Sequence, residues 1–155
     1  MKEIPLTQGK VALVDDEDFE RVNKLKWYAH REGDTFYAIH KFVVDGSQKG
    51  ITMQQFLLDV PKGRLIDHKN GEGLDNQRAN IRECSKAENV RNCKKNCKNT
   101  TGYKGVTYIK GMFIARIKFN YKKITLGRFK TAIEAALAYD EGSKKYHGEF
   151  GRTNF

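Results

Sequence analysis

The residues of this 155-residue chain best equipped for chemistry lie between positions 61 and 96. Asp67 and His68 stand side by side at the end of an apolar stretch, residues 63–68, that reads as a short strand. Neighbouring side chains on a strand point to opposite faces, so this carboxylate and this imidazole can serve different tasks. Asn89 offers another oxygen from a helix further on. A hard divalent cation such as Mg²⁺ takes one or two protein oxygens and fills its remaining positions with water and phosphate oxygens. A carboxylate and an amide on a metal, with a histidine able to activate a water, is the division of labour that phosphodiester hydrolysis needs: a base on the attacking side and a metal on the leaving oxygen. A lone Asp-His pair is also a common structural feature, and spacing by itself leaves both readings open.

The elements that must position these groups are legible. Asn70-Gly71-Glu72-Gly73 is a turn, residues 74–80 form a polar loop that packs one leucine, and residues 81–84 form a second short strand. Ser85-Lys86-Ala87-Glu88 is a capping box that starts a helix. At 100° per residue, Asn89, Asn92 and Asn96 share one face, and Ala87, Val90, Cys93 and Cys97 share an adjacent apolar one. Cys84, Cys93 and Cys97 contain no Cys-x2-Cys pair. They are expected to be buried thiols rather than zinc ligands.

Taken together, Ile66-Asp67-His68-Lys69-Asn70-Gly71, Leu74-Asp75-Asn76, Asn80-Ile81-Arg82, Asn89 and Asn92 resemble the HNH endonucleases of the phage and intron-encoded homing type, with the spacing His-x11-Asn-x8-Asn. The resemblance implies a ββα-metal fold of two short antiparallel strands and a helix. It implies that His68 is the general base and that Asp67 and Asn89 hold one divalent metal, Mg²⁺ first and Mn²⁺ second, with Asn92 as the fallback ligand. Asn80 would tie the loop between the strands to the backbone and so orient His68. The family leads one to expect a Met-His-Arg-like segment ahead of the motif, where this chain has Met53-Gln54-Gln55.

The chain carries 29 Lys and Arg against 19 Asp and Glu, a net charge of +10. The excess is uneven: residues 1–60 are net −2, residues 61–100 net +5 and residues 101–155 net +7. A solubility charge would be spread more evenly, so the last 95 residues are expected to bind a polyanion. In the C-terminal part, residues 105–109, 113–119 and 124–126 read as three strands, and Thr131-Ala132-Ile133-Glu134 caps a helix that runs to about His147 and stops at Gly148. Alternation places Thr107, Arg116, Lys118, Lys123 and Thr125 on one open face, a basic shape able to enter the major groove. Tyr103-Lys104-Gly105-Val106, Phe113-Ile114-Ala115-Arg116-Ile117, Leu126-Gly127-Arg128-Phe129, Ala135-Ala136-Leu137-Ala138-Tyr139-Asp140 and the terminal Asn154-Phe155 look like an APETALA/ethylene-response-factor DNA-binding domain. That resemblance implies base and phosphate contacts from Lys104, Thr107, Arg116, Lys118, Lys123 and Thr125, and a phosphate contact from Tyr139.

The expected architecture is α+β in three parts: a small α+β module at 1–60 that packs Trp27 and Tyr28 inside and buttresses the nuclease strands, the ββα-metal module at 61–98, and a three-stranded antiparallel sheet packed on one helix at 102–155. Residues 92–101, rich in Lys and Asn, are read as a helix end running into a basic linker. Asp15, Asp16, Glu17 and Asp18 are read as the solvated start of a helix rather than a metal cluster. His30 and His40 are read as structural or surface residues, and His147 as a cation suited to a helix C-terminus. No apolar run approaches the length of a membrane helix, and the first residues lack a signal-peptide core. The expected setting is cytoplasmic, with duplex DNA as partner and no obligate protein partner. The expected activity is nicking of duplex DNA. The rival is a sequence-specific DNA-binding regulator that does not cut, and an RNA-directed reading stands behind both.

Overall fold

The computed structural model describes residues 1–95 and 99–155. It is a mixed α and β chain with several small antiparallel sheets and few helices. It divides into two compact units, Met1–Lys86 and Ala87–Phe155.

In the first unit, β1 (Lys2–Pro5) pairs antiparallel with β2 (Val11–Val14), and α1 (Asp16–Asn23) follows. The strands β3 (Tyr28–Glu32), β4 (Thr35–Val44) and β5 (Ser47–Thr52) form an antiparallel meander. The short helix α2 (Met53–Leu57) starts at a capping box between Thr52 and Gln55. The hairpin β6 (Leu65–His68) and β7 (Ile81–Cys84) closes the unit.

One core holds these elements. Ile4, Ala12, Val14, Val22, Trp27, Ala38, Met53, Leu57 and Ile81 are buried together, with Ile66 and Leu74 packed against them. Apolar side chains from both sides of residue 60 thus leave water as one body, which is what ties the hairpin to the N-terminal sheets. The Trp27 indole N–H donates to the Val22 carbonyl at 2.9 Å and meets Phe56 edge-on. Tyr28 is half-buried.

Asp18 departs from the expectation of a solvated acidic face. It is buried, and it accepts bonds from Arg78 Nε at 2.7 Å, Arg78 Nη2 at 2.9 Å and Arg21 Nη2 at 2.9 Å. Burial alone would raise its carboxyl pKa, but the two guanidiniums outweigh burial and hold it below the ordinary carboxylate value. The Arg78 backbone N–H also donates to Asp15 Oδ2 at 2.7 Å. The start of α1 is therefore a socket for an arginine sixty residues away.

The second unit contains most of α3 (Lys86–Asn92), the sheet β8 (Val106–Ile109), β9 (Met112–Phe119) and β10 (Lys122–Phe129) in the order β10-β9-β8, and α4 (Ala132–His147). Val106, Ala115, Ile117, Ala135, Ala136 and Tyr139 form its core. Alanines on α4 let the helix lie close on the sheet. Thr131 and Glu134 form the expected capping box, and Gly148 ends the helix at φ 58°. Asp140 accepts from the Asn154 and Phe155 backbone N–H groups and from Asn154 Nδ2, while Asn154 Oδ1 accepts from the Lys104 N–H. The terminal Asn-Phe thus clasps the start of the sheet to α4.

The apolar face expected of α3 is not the buried one. Val90 is 61% exposed, Cys93 is exposed and so is Ala87, whereas Asn92 is buried. Among the described residues Cys84, at the end of β7, is the buried thiol. Asn96 and Cys97 lie outside the described residues.

Candidate active site and nucleic-acid interface

The β6/β7 register places Asp67 opposite Arg82 and His68 opposite Ile81. Both side chains of the Asp-His pair are buried. Asp67 Oδ2 accepts from Arg82 Nε at 3.0 Å and Nη2 at 2.9 Å. His68 Nε2 lies 3.3 Å from Asn76 Oδ1, and the His68 ring sits 5.9 Å from that of Tyr37. Burial pushes the His68 imidazole below its ordinary pKa, against opposing pulls from the Asn76 hydrogen bond and the Asp67 and Asp75 charges. A shift in this direction favours the neutral imidazole, the form able to accept a proton. The Tyr37 wall depends on Gly73, where a Cβ would come within 2.5 Å of the Tyr37 ring and 2.6 Å of the Phe36 carbonyl.

Asn80 straps the turn that follows β6. Its Oδ1 accepts from the Asn70 N–H at 3.1 Å, its Nδ2 donates to the Asp75 carbonyl at 2.7 Å, and its own carbonyl accepts from the Lys69 N–H at 2.9 Å. Asp75 is braced in turn by Asn70 Nδ2 and Gln77 Nε2. Asn89 is half-buried on α3, in the second unit, whereas Asp67, His68 and Asn80 belong to the first.

A carboxylate and an amide oxygen are hard donors. They suit Mg²⁺ or Mn²⁺, which need few protein ligands, better than zinc, which favours Cys and His. Among the described residues no three His, Cys, Asp or Glu side chains cluster as a metal cage.

The open face of the second unit's sheet displays Thr107, Arg116, Lys118, Lys123 and Thr125, all exposed. Arg116 lies opposite Thr125 and Lys118 opposite Lys123. No acidic residue occurs between positions 106 and 129. Strict alternation along β10 would turn residue 128 inward, but a bulge between Thr125 and Gly127 resets the parity. Arg128 therefore stands exposed across from Ile114, and Phe129 joins the core. Arg128 is the basic residue that alternation missed.

Two expected contacts are employed elsewhere. The Lys104 ammonium donates to the carbonyls of Arg91, at 2.5 Å, and Cys93, at 2.7 Å, where it caps the end of α3. Burial brings its pKa down to about 8. Tyr139 is buried with its ring against Gly105, and burial pushes its hydroxyl up to about 12.

His147 is likewise no exposed cation. It is buried, Nε2 donates to the Lys118 carbonyl at 2.9 Å, and Nδ1 has no partner among the described residues. Burial first, then the positive charges of Arg91 and Lys104, hold its pKa below the ordinary value. The unfolded chain therefore binds the proton better. Stability from this group is complete above about pH 6.5 and lost as the pH falls. The thermal midpoint is expected to drop between pH 7.5 and 5.5, and the His147→Gln variant to flatten that drop; calorimetry across the range checks both.

Residues 54–91 match the family model of HNH endonucleases. The matched stretch holds α2 from Gln54 onward, the β6/β7 hairpin and α3 as far as Arg91, and so contains Asp67, His68, Asn76, Asn80 and Asn89. The chain is also similar to the ethylene-responsive transcription factor ERN1 of Medicago truncatula, 39% identical over 85 residues. That alignment covers 53% of this chain and 32% of the relative, so the chain spans about a third of the length of the curated protein it matches. Among the described residues no helix is long and apolar enough to cross a membrane.

Proposed function

We propose that the protein is a metal-dependent endonuclease of the homing type that nicks duplex DNA, held on its site by the sheet of the second unit. The observation that carries this reading is His68, buried and bonded at Nε2, within a stretch that matches HNH endonucleases. His68 takes the proton of the attacking water. Asn80 keeps the turn after β6 in the shape that aims the ring. Asp67 and Asn89, with Asn92 in reserve, would hold the divalent ion. When bound, that ion supplies positive charge for the phosphate and the departing 3′ oxygen. Arg82 fixes the rotamer of Asp67. One such site cuts one strand.

The test is supercoiled plasmid incubated with Mg²⁺, with and without chelator. Open-circle product that vanishes with the chelator supports the reading. A gel shift without any open circle, at every divalent ion tried, overturns it. The similarity to a transcription factor favours a second reading, a DNA-binding regulator that does not cut, and the shift-without-cutting result is what that reading expects.

On the sheet, Thr107, Arg116, Lys118, Lys123, Thr125 and Arg128 form the binding face. Lys118→Ala should weaken binding to all sequences alike and lower the slope of log affinity against log salt by about one. Arg116→Ala should change which sequences are preferred. Selection from a random duplex library reads both, and an unchanged preference rejects Arg116 as a base reader.

A further inference from the structure

The helix α3 is seven residues long, well short of the length at which a helix in water holds itself, so what fastens its end decides where Asn89 stands. The carbonyls of a last turn have no partners within their own helix. Here the Val90 carbonyl accepts the Cys93 N–H at 3.3 Å, and the Lys104 ammonium donates to the carbonyls of Arg91 at 2.5 Å and Cys93 at 2.7 Å. A second hold lies beside the first: the Arg91 guanidinium sits over the Phe119 ring of β9, 5.7 Å from its centroid. Lys95, just past the helix, donates to the Gly102 carbonyl at 2.9 Å. The root of Lys104 is itself fixed. Its N–H donates to Asn154 Oδ1 at 2.7 Å, and its carbonyl accepts from Asn154 Nδ2 at 3.2 Å. Asp140 of α4, which is buried, holds Asn154 through its backbone N–H at 2.8 Å and its Nδ2 at 2.9 Å. A run of hydrogen bonds thus leads from α4 through Asn154 and Lys104 to the end of α3, all inside the second unit.

From this geometry we infer that Lys104 is a positioning residue and not a DNA contact: its ammonium fastens α3 to the unit that carries the binding sheet, and so sets Asn89, within one turn of both carbonyls, in the same frame as the residues that grip the DNA. An ammonium has three N–H donors, and two of these are spent on carbonyls at the close distances of charge-assisted bonds. Turning to a phosphate would strip both carbonyls of that partner and loosen the end of a helix too short to hold itself. Lys118 and Lys123, by contrast, stand exposed on the sheet with their charges turned to solvent. This role deepens the nuclease reading and rests on it for the part that Asn89 plays.

The test compares the full-length wild type with Lys104→Met, which keeps the stem and removes the donor. In metal-free buffer the variant should bind a random-sequence duplex within about twofold of the wild type, with the slope of log affinity against log salt unchanged. A slope lowered by about one, with uniformly weaker binding, is the mark of a lost phosphate contact and overturns the inference. Amide hydrogen exchange across residues 90–93 should quicken on the order of tenfold while β9 keeps its protection; unaltered exchange there overturns it as well. With Mg²⁺, kcat for plasmid nicking should fall by about 10- to 100-fold at unchanged KM, and a wild-type kcat removes the positioning role. If Lys104→Met fails to fold, the wild type still decides. Couplings across the hydrogen bonds from Lys104 Nζ to the Arg91 and Cys93 carbonyl carbons should appear in the ¹⁵N,¹³C-labelled chain and persist when the duplex is added, and their loss on DNA places the ammonium on phosphate. If the wild type never cuts DNA, the nuclease reading fails, while salt slope, exchange and couplings still show whether Lys104 fastens α3; if it cuts and Lys104→Met cuts equally well, the reverse holds.

Discussion

Plasmid nicking by the His68→Ala variant is expected to be slower than that of the wild type on the order of 10³-fold, the scale of a lost general base. Three features make the effect large. The imidazole is buried, so bulk water cannot easily stand in for it. Burial holds its pKa below the ordinary value, which favours the neutral, proton-accepting form. It is also held on two sides, by Asn76 and by the Tyr37 ring, so its position is prepared before substrate arrives. Alanine would leave a cavity at the inner end of the β6/β7 hairpin, and some loss of stability goes with the loss of rate. DNA binding provides the control. The sheet lies in the other compact unit, so a gel shift in metal-free buffer should be unchanged within about twofold. Residual cutting within tenfold of the wild type would remove His68 from the role of base.

The largest expected effect on stability comes from Gly105. Its backbone has φ +75°, and a Cβ there would stand 1.9 Å from Tyr139 Cδ2 and 2.1 Å from Cε2. Neither partner can yield. The Tyr139 ring is buried in the core between sheet and helix, and Gly105 leads directly into β8, where its carbonyl accepts the Arg116 N–H at 2.8 Å. Gly105→Ala should therefore cost about 3 kcal/mol or more, equivalent to a fall on the order of 15 °C in the melting transition of a unit this small. The first unit should melt as before, so the thermogram is expected to split into two transitions with only one moved. Duplex DNA affinity should fall with the moved transition. A single transition within about 3 °C of the wild type would mean that the glycine is not needed for close approach.

Some of this molecule could be read directly from its residues, because local pattern and tertiary packing agree there. The apolar stretch that ends in Asp67 and His68 is β6, and Thr131 with Glu134 starts α4. Other parts depend on partners distant in sequence. Tyr28-Ala29-His30-Arg31-Glu32 has little strand character, and becomes β3 because β4 offers it a full ladder. On α3 the apolar stripe was visible, but packing chose the asparagine side. A lysine such as Lys104 gives no local sign that its ammonium will close a helix end instead of facing a polyanion. Period-two counting along β10 cannot foresee a bulge, so Arg128 was hidden. Of the candidate site, the Asn80 strap came with the resemblance, and the Asp67-His68 pair at a strand end was legible from type and spacing. Asn76 as a partner of His68 was not, because its placement rests on a backbone ladder to Leu13.

That ladder and the Asp18–Arg78 clasp have a consequence for how the chain is made. Both join the first eighteen residues to residues 74–78, and Ile81 fills the same core as Ile4. Entropy of loop closure must be met before any of these contacts contributes. On the ribosome the opening β1/β2 hairpin and its acidic helix must wait, half-finished, until residue 81 has emerged. Only then can the Asp-His pair acquire its surroundings. A fragment ending near residue 60 should be a sticky, partly ordered species, and a chimaera that preserves this half must keep residues 1–86 together as a single graft.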